Sequence, residues 1–153
     1  MGTSRITRLG ALAGIAGLLT LGLSGCFGGG AAPQCSAGIV DSFEESGTAG
    51  TVTSEFPAPE LLVGGGIYCW LAIESEGSVG GIAFFEGANG DEVATARLEA
   101  NGFTASELLP SFYEKGDLIA GVTPSEGALS ADDGVPAELV GKELAILFVG
   151  AQP

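Results

Sequence analysis

The sequence predicts a small α+β domain, built on an antiparallel or mixed sheet of about four to five strands with one main helix and short helical turns. An alternating apolar segment at 67–74 is followed by turn residues and a second apolar segment at 80–86. A segment with helix-start and helix-stop signals follows at about 91–101, and a strand predicted at 143–149 contains a continuous apolar run after Glu143. Strand signals outnumber helix signals, which favours one sheet with helices packed on it.

The first half of the domain contains a short helix and a hairpin. Apolar residues three and four positions apart predict a helix over 36–45, and Gly, Thr and Pro predict an extended connection over 46–59. The hairpin turn falls at 75–78. Strict alternation in the first hairpin strand places four apolar residues on one face: Ile67, Cys69, Leu71 and Ile73.

The main helix carries signals at both ends. Asn89 is a candidate N-cap with Glu92 three residues later, the capping-box spacing. Gly102 is suited to the left-handed position of a Schellman ending, in which Phe103 packs back on Leu98. The apolar stripe is expected to consist of three residues: Val93, Ala96 and Ala100.

The last third of the chain is dominated by strand signals. Residues 112–122 form one strand, or two strands with a tight turn at 115–117. Residues 123–134 form a surface loop, and Asp133 is expected to cap a turn that begins near Pro136. The final strand, at 143–149, is apolar without alternation after Glu143, which predicts a central strand.

Composition excludes several function classes. The chain has 153 residues, enough for one ordinary domain, with 19 Asp and Glu against 5 Lys and Arg and no His. Without His the chain lacks the commonest general base and the commonest metal ligand. The acidic excess excludes ordinary nucleic-acid binding, which requires Lys and Arg on phosphates. We predict no catalytic residue and no cofactor.

The N-terminus carries the most specific motif. Arg5 and Arg8 precede an apolar segment at 10–23, which has the length of a signal-peptide core and is short for a membrane-spanning helix. Leu23-Ser24-Gly25-Cys26 follows, and it resembles the lipobox of bacterial lipoproteins. The resemblance implies acylation of Cys26, by chains such as palmitate, and cleavage just before it. An ordinary secretory signal and an uncleaved anchor are the alternatives. The composition of the chain, rich in Gly and Ala and poor in Lys, resembles that of actinobacterial lipoproteins.

This resemblance implies a domain organisation. Residues 1–25 are a signal peptide, 26–34 a flexible tether, and 35–153 a single extracytoplasmic domain on a lipid-anchored protein of the cell membrane. The mature chain keeps three basic side chains against 19 acidic ones, a net charge of −16.

Export also bears on the two remaining cysteines. Cys35 and Cys69 form an even pair in an oxidising compartment, which predicts a structural disulfide. A redox-active or metal-binding thiol pair is the alternative.

Two further features are candidate sites. Tyr68 and Trp70 form an interaction surface if the helix covers one sheet face only; the alternative is a second small core under the N-terminal segment. Three acids of loop 126–134 are a candidate Ca²⁺ site or a solvated acidic surface: Glu126, Asp132 and Asp133.

The sequence therefore predicts a lipid-anchored, non-catalytic cell-envelope protein that binds a protein or ligand outside the membrane. The alternative is a calcium-binding or cation-dependent envelope protein that uses loop 126–134. The expected partners are the membrane, through the lipid anchor, and an envelope protein.

Overall fold

The computed structural model describes residues 30–45 and 50–152, so the lipobox with Cys26 lies outside the described residues. The strands of the described part are β1 Thr51–Thr53, β2 Ile67–Ser75, β3 Ser78–Glu86, β4 Thr104–Ala105, β5 Phe112–Lys115, β6 Leu118–Thr123 and β7 Leu144–Ala151. The α-helices are α1 Ala37–Glu45 and α2 Gly90–Ala100. Every strand pair is antiparallel, and the spatial order is β1-β2-β3-β7-β6-β5-β4.

The fold is α+β, as predicted, but the sheet is larger than expected. It has seven strands in the described part rather than four or five. Strand β1 lies within the predicted connection and pairs with β2, and β4 pairs with β5. Both are edge strands of three and two residues, too short to show an alternating pattern. Strand β7 occupies the centre of the sheet, which confirms its predicted position.

A β-bulge interrupts the alternation of β2. Ile67 pairs with Phe85 and Cys69 pairs with Phe84, so Tyr68 is the extra residue. Tyr68 and Cys69 therefore pack on the same side of the sheet, whereas Ile67 packs on the other side with Trp70. The expectation that Ile67 shares a face with Cys69 was wrong because a bulge shifts the pleat by one residue.

Each face of the sheet packs against one helix. On the α2 face, Ala94 and Leu98 pack against side chains of the central strands, including Phe85 and Leu147. On the α1 face, the buried residues are Cys35, Ile39, Cys69, Leu71, Phe84, Leu139 and Leu144. No buried side chain in the described part is polar or charged.

Helix α2 ends as predicted but begins differently. The N–H of Gly102 donates to the Glu99 carbonyl and the N–H of Phe103 to the Leu98 carbonyl, the two bonds of a Schellman motif. Gly102 has the left-handed φ of 83° that this motif requires. Asn89 is the N-cap residue, but its side chain makes no capping hydrogen bond, so the predicted capping box was wrong.

The buried side of α2 also differs from the predicted stripe. Ala96 and Ala100 are exposed and Val93 is half-buried. The buried residues are Gly90, Ala94 and Leu98, which are four positions apart and so lie along one side of the helix. The helix carries few large apolar residues, and a weakly amphipathic pattern does not define its buried side.

Gly90→Ala is expected to destabilise the fold even though alanine is a better helix former. A Cβ at this position would lie 2.7 Å from the Phe85 carbonyl oxygen, and backbone atoms cannot rotate away. We expect a loss of about 1–3 kcal/mol in the free energy of unfolding, as for an overpacked core. Urea titration measures it. Gly65→Ala is the matched control, because nothing lies within 4 Å of a Cβ there. A stabilised Gly90→Ala variant would contradict the close packing of α2 on β3.

Candidate functional site

The segment before α1 is fixed to the sheet. The N–H of Ala32 donates to the Leu62 carbonyl at 2.8 Å, and the Trp70 indole N–H donates to the Ala32 carbonyl at 2.8 Å. Cys35 and Pro33 exchange backbone hydrogen bonds with Trp70. Residues 31–34, predicted to belong to the flexible tether, are therefore held against β2.

The predicted disulfide is present. Cys35 and Cys69 are joined over a sequence separation of 34 residues, and both are buried. The bond fixes the start of the folded domain to β2, beside the bulge.

Tyr68 and Trp70, predicted to share one exposed face, lie on opposite faces of the sheet. Trp70 is 8 % exposed, and its ring meets that of Phe56 edge-on at a centroid distance of 5.5 Å. Tyr68 packs on the opposite face, half-buried, with the Lys142 ammonium 4.3 Å from its ring centroid. The two residues lie on different faces because of the bulge, and Trp70 belongs to the core.

The acidic loop does not assemble a metal site among the described residues. No group of three His, Cys, Asp or Glu in that part is placed to hold an ion. The Asp133 carboxylate accepts the Ser130 N–H at 2.7 Å, and with the Ser130 hydroxyl it forms a capping box on the turn Ala131–Asp133. Asp133 therefore caps this turn rather than the one that follows Pro136.

The basic residues of the described part are all engaged within the protein. Each lies over an aromatic ring: Arg97 over Phe85, Lys115 over Phe103 and Lys142 over Tyr68. Each also has polar partners: Glu60 for Lys115, Glu86 for Lys142, and the carbonyls of Leu61 and Gly65 for Arg97. Burial lowers the pKa of Arg97, although a guanidinium remains charged at physiological pH. In the part of the chain that the structure describes, the excess charge exposed to solvent is therefore acidic.

The Glu60–Lys115 pair predicts a small pH dependence of stability. The hydrogen bond from Lys115 is the main cause that lowers the pKa of Glu60 below its ordinary 4.5. The stability that the pair contributes is fully present above the ordinary pKa of Glu60. It is lost as the pH falls through the lower pKa that Glu60 has in the folded protein. Glu60→Gln should cost under about 1 kcal/mol at pH 7, since both side chains are partly exposed, and less at acid pH. Thermal melts of the unaltered protein and the Glu60→Gln variant at pH 7 and pH 3 measure this loss of stability. An equal loss at the two pH values would contradict the prediction.

An apolar trough lies on the α1 face, at the end of the sheet remote from Ile67. Its lining includes Ile73, Gly80, Ile82, Phe148 and Gly150, and its volume is about 410 Å³. Ile73 pairs with Gly80 and Ile82 pairs with Phe148 across neighbouring strands. Helix α1 and the turns near Leu139 cover the other end of this face, around Phe84 and Leu144.

Two glycines form the floor of the trough. The described sheet contains four glycines, and rings occupy the space beside two of them, Phe56 at Gly81 and Phe148 at Gly121. A Cβ at Gly80 would have only the Val149 carbonyl oxygen nearby, at 3.9 Å, and one at Gly150 would meet nothing within 4 Å. The trough was not predicted from the sequence. A glycine inside a strand can indicate an open space on the sheet, but the sequence does not show beside which glycines a neighbouring aromatic ring occupies that space.

No family model, curated protein or solved structure matches this chain. In the described part, none of the helices is long and apolar enough to cross a membrane.

Proposed function

We propose that this chain is a lipid-anchored, non-catalytic protein of the cell envelope that binds a partner outside the membrane through the apolar trough. The lipobox at 23–26 supports the anchor at Cys26. The disulfide is consistent with an oxidising compartment. The trough is the observation that carries the binding role, because its volume lies within the usual range for ligand pockets and its lining is mainly apolar.

The position of the anchor supports this role. Ala31, which is held beside Val63, lies five positions after Cys26, and five residue-to-residue steps span at most roughly 17 Å. From Ile67 at the start of β2 to Ile73 in the trough the strand rises by roughly 20 Å. An anchor at Cys26 would therefore leave the trough on the end of the domain farther from the lipid.

The anchor is tested by the intact mass of protein extracted from membranes of the native host. The expected mass is that of residues 26–153 plus acyl chains. Reduction of the disulfide should increase this mass by two hydrogen atoms. Cys26→Ala should remain uncleaved and lack acyl chains. An unmodified mass for the native protein would refute the anchor.

The binding role is tested by a photo-crosslinking residue at Ser78, which is exposed and lines the trough. In native cells we expect one dominant adduct, which disappears when Gly150→Leu fills the trough. A crosslinker at Glu99, exposed on α2, is the control position. Equal adducts with and without Gly150→Leu would refute the trough as the binding site.

A further inference from the structure

We propose that the trough binds a basic polypeptide segment, which inserts a large apolar side chain between Ile73 and Phe148 and places Lys or Arg against the surrounding acids. This inference rests on the proposed binding function and names the class of partner.

Acidic residues stand in two turns beside the trough. Glu76 stands in the β2–β3 turn, between the trough residues Ser75 and Ser78, and is exposed. Asp117 stands in the β5–β6 turn, and its carbonyl accepts the Gln152 N–H, next to the trough residue Ala151. A peptide seated in the trough would therefore meet negative charge at the turns on either side of it.

A third acid, Glu114, lies on the same face, across the sheet, and its carboxylate also accepts the Ser106 hydroxyl. Ile119 pairs with Gly150 on one side and with Glu114 on the other, so these residues form one row. Lys115 is the basic residue nearest to Glu114 in sequence, but it pairs with Glu60, with 2.6 Å between the Lys115 Nζ and Glu60 Oε1 atoms. The net charge of −16 on residues 26–153 makes the electrostatic potential negative at longer range as well. A cationic ligand is electrostatically complementary, and an anionic one is repelled.

Other occupants fit these observations less well. Residues 26–29, the part of the mature chain before the described segment, join it beside Val63, at the end of the sheet remote from the trough. Residues 46–49 are Ser, Gly, Thr and Ala, which offer no large apolar side chain. A second copy would bring a charge of −16 against another of −16. An apolar segment with positive charge satisfies both the lining and the surroundings.

The test uses the anchored protein in phosphatidylcholine nanodiscs and three fluorescein-labelled heptapeptides, one of Lys and Leu, one of Glu and Leu, and one of Lys and Ser. Fluorescence polarisation measures affinity, and empty nanodiscs give the background. We expect binding of the Lys and Leu peptide alone, weakened roughly tenfold between low and high salt. Binding of the Glu and Leu peptide with equal affinity would overturn the basic class.

Two sets of variants locate the interaction. Gly150→Leu should abolish binding, whereas Gly65→Leu, equally free of contacts, should leave it unchanged. Neutralising the surrounding acids in the triple variant Glu76→Gln, Glu114→Gln, Asp117→Asn should weaken binding roughly tenfold and flatten its salt dependence. The control changes the net charge equally at distant exposed acids: Glu92→Gln, Glu99→Gln and Glu126→Gln.

The outcomes separate this inference from the proposed function. If the native adduct at Ser78 disappears with Gly150→Leu but the triple acid variant binds the Lys and Leu peptide as tightly as its control, the basic class is wrong and the binding site stands. If the adduct is unaffected by Gly150→Leu, the binding site itself is wrong.

Discussion

Reduction of the Cys35–Cys69 disulfide is expected to lower the free energy of unfolding by roughly 3–4 kcal/mol. The bond closes a loop with a sequence separation of 34 residues, which restricts the unfolded chain. It also fixes the segment before α1 to β2, so its loss should loosen Ile39 and the α1 layer before the sheet unfolds. Urea titrations of the oxidised and reduced protein measure the difference. Coincident midpoints would contradict the prediction.

The Cys35→Ala, Cys69→Ala double variant separates the disulfide from nonspecific effects of the reductant. Its midpoint should lie near that of the reduced protein and should not respond to reductant. Amide hydrogen exchange adds the local readout. Protection in α1 should fall more than protection in β7, the central strand, because α1 depends on the segment that the bond holds.

The features that could be predicted from sequence are set by residues close together in the chain. The hairpin, the Schellman ending at Gly102 and the central position of β7 each depend on a short local pattern. The cysteine pairing was also predictable, because with Cys26 assigned to acylation one pair remains. The edge strands β1 and β4 could not be predicted, because two or three residues carry no pattern and pair only once a neighbouring strand is in place.

The trough could not be predicted because it depends on register across several strands. Gly80 and Gly81 are neighbours on β3, yet one faces open space and the other is covered by the Phe56 ring. Phe56 lies in a segment without regular secondary structure, and nothing local in the sequence places its ring on Gly81. The trough is defined by the side chains that are absent from one row of the sheet.

The bulge at Tyr68 makes Trp70→Ala the most informative core substitution. With Trp70 8 % exposed and hydrogen-bonded to the Ala32 carbonyl, truncation should cost about 3–5 kcal/mol in the free energy of unfolding. Trp70→Phe keeps much of the ring packing on Phe56 and loses the hydrogen bond, so it should cost about 1 kcal/mol. Far-UV circular dichroism during urea unfolding measures both, since Trp70 is the only tryptophan and its fluorescence is lost.

Tyr68→Ala is the control that distinguishes a core role from a surface role. Tyr68 is half-buried on the other face, beneath Lys142, so its truncation should cost clearly less than that of Trp70. If the two residues formed an exposed contact surface, both variants would keep the native unfolding midpoint and both would weaken partner capture. The packing predicts the opposite: a large loss of stability for Trp70→Ala alone, and unchanged capture at Ser78 for Tyr68→Ala. Equal midpoints for the two variants would contradict the assignment of Trp70, but not Tyr68, to the buried core.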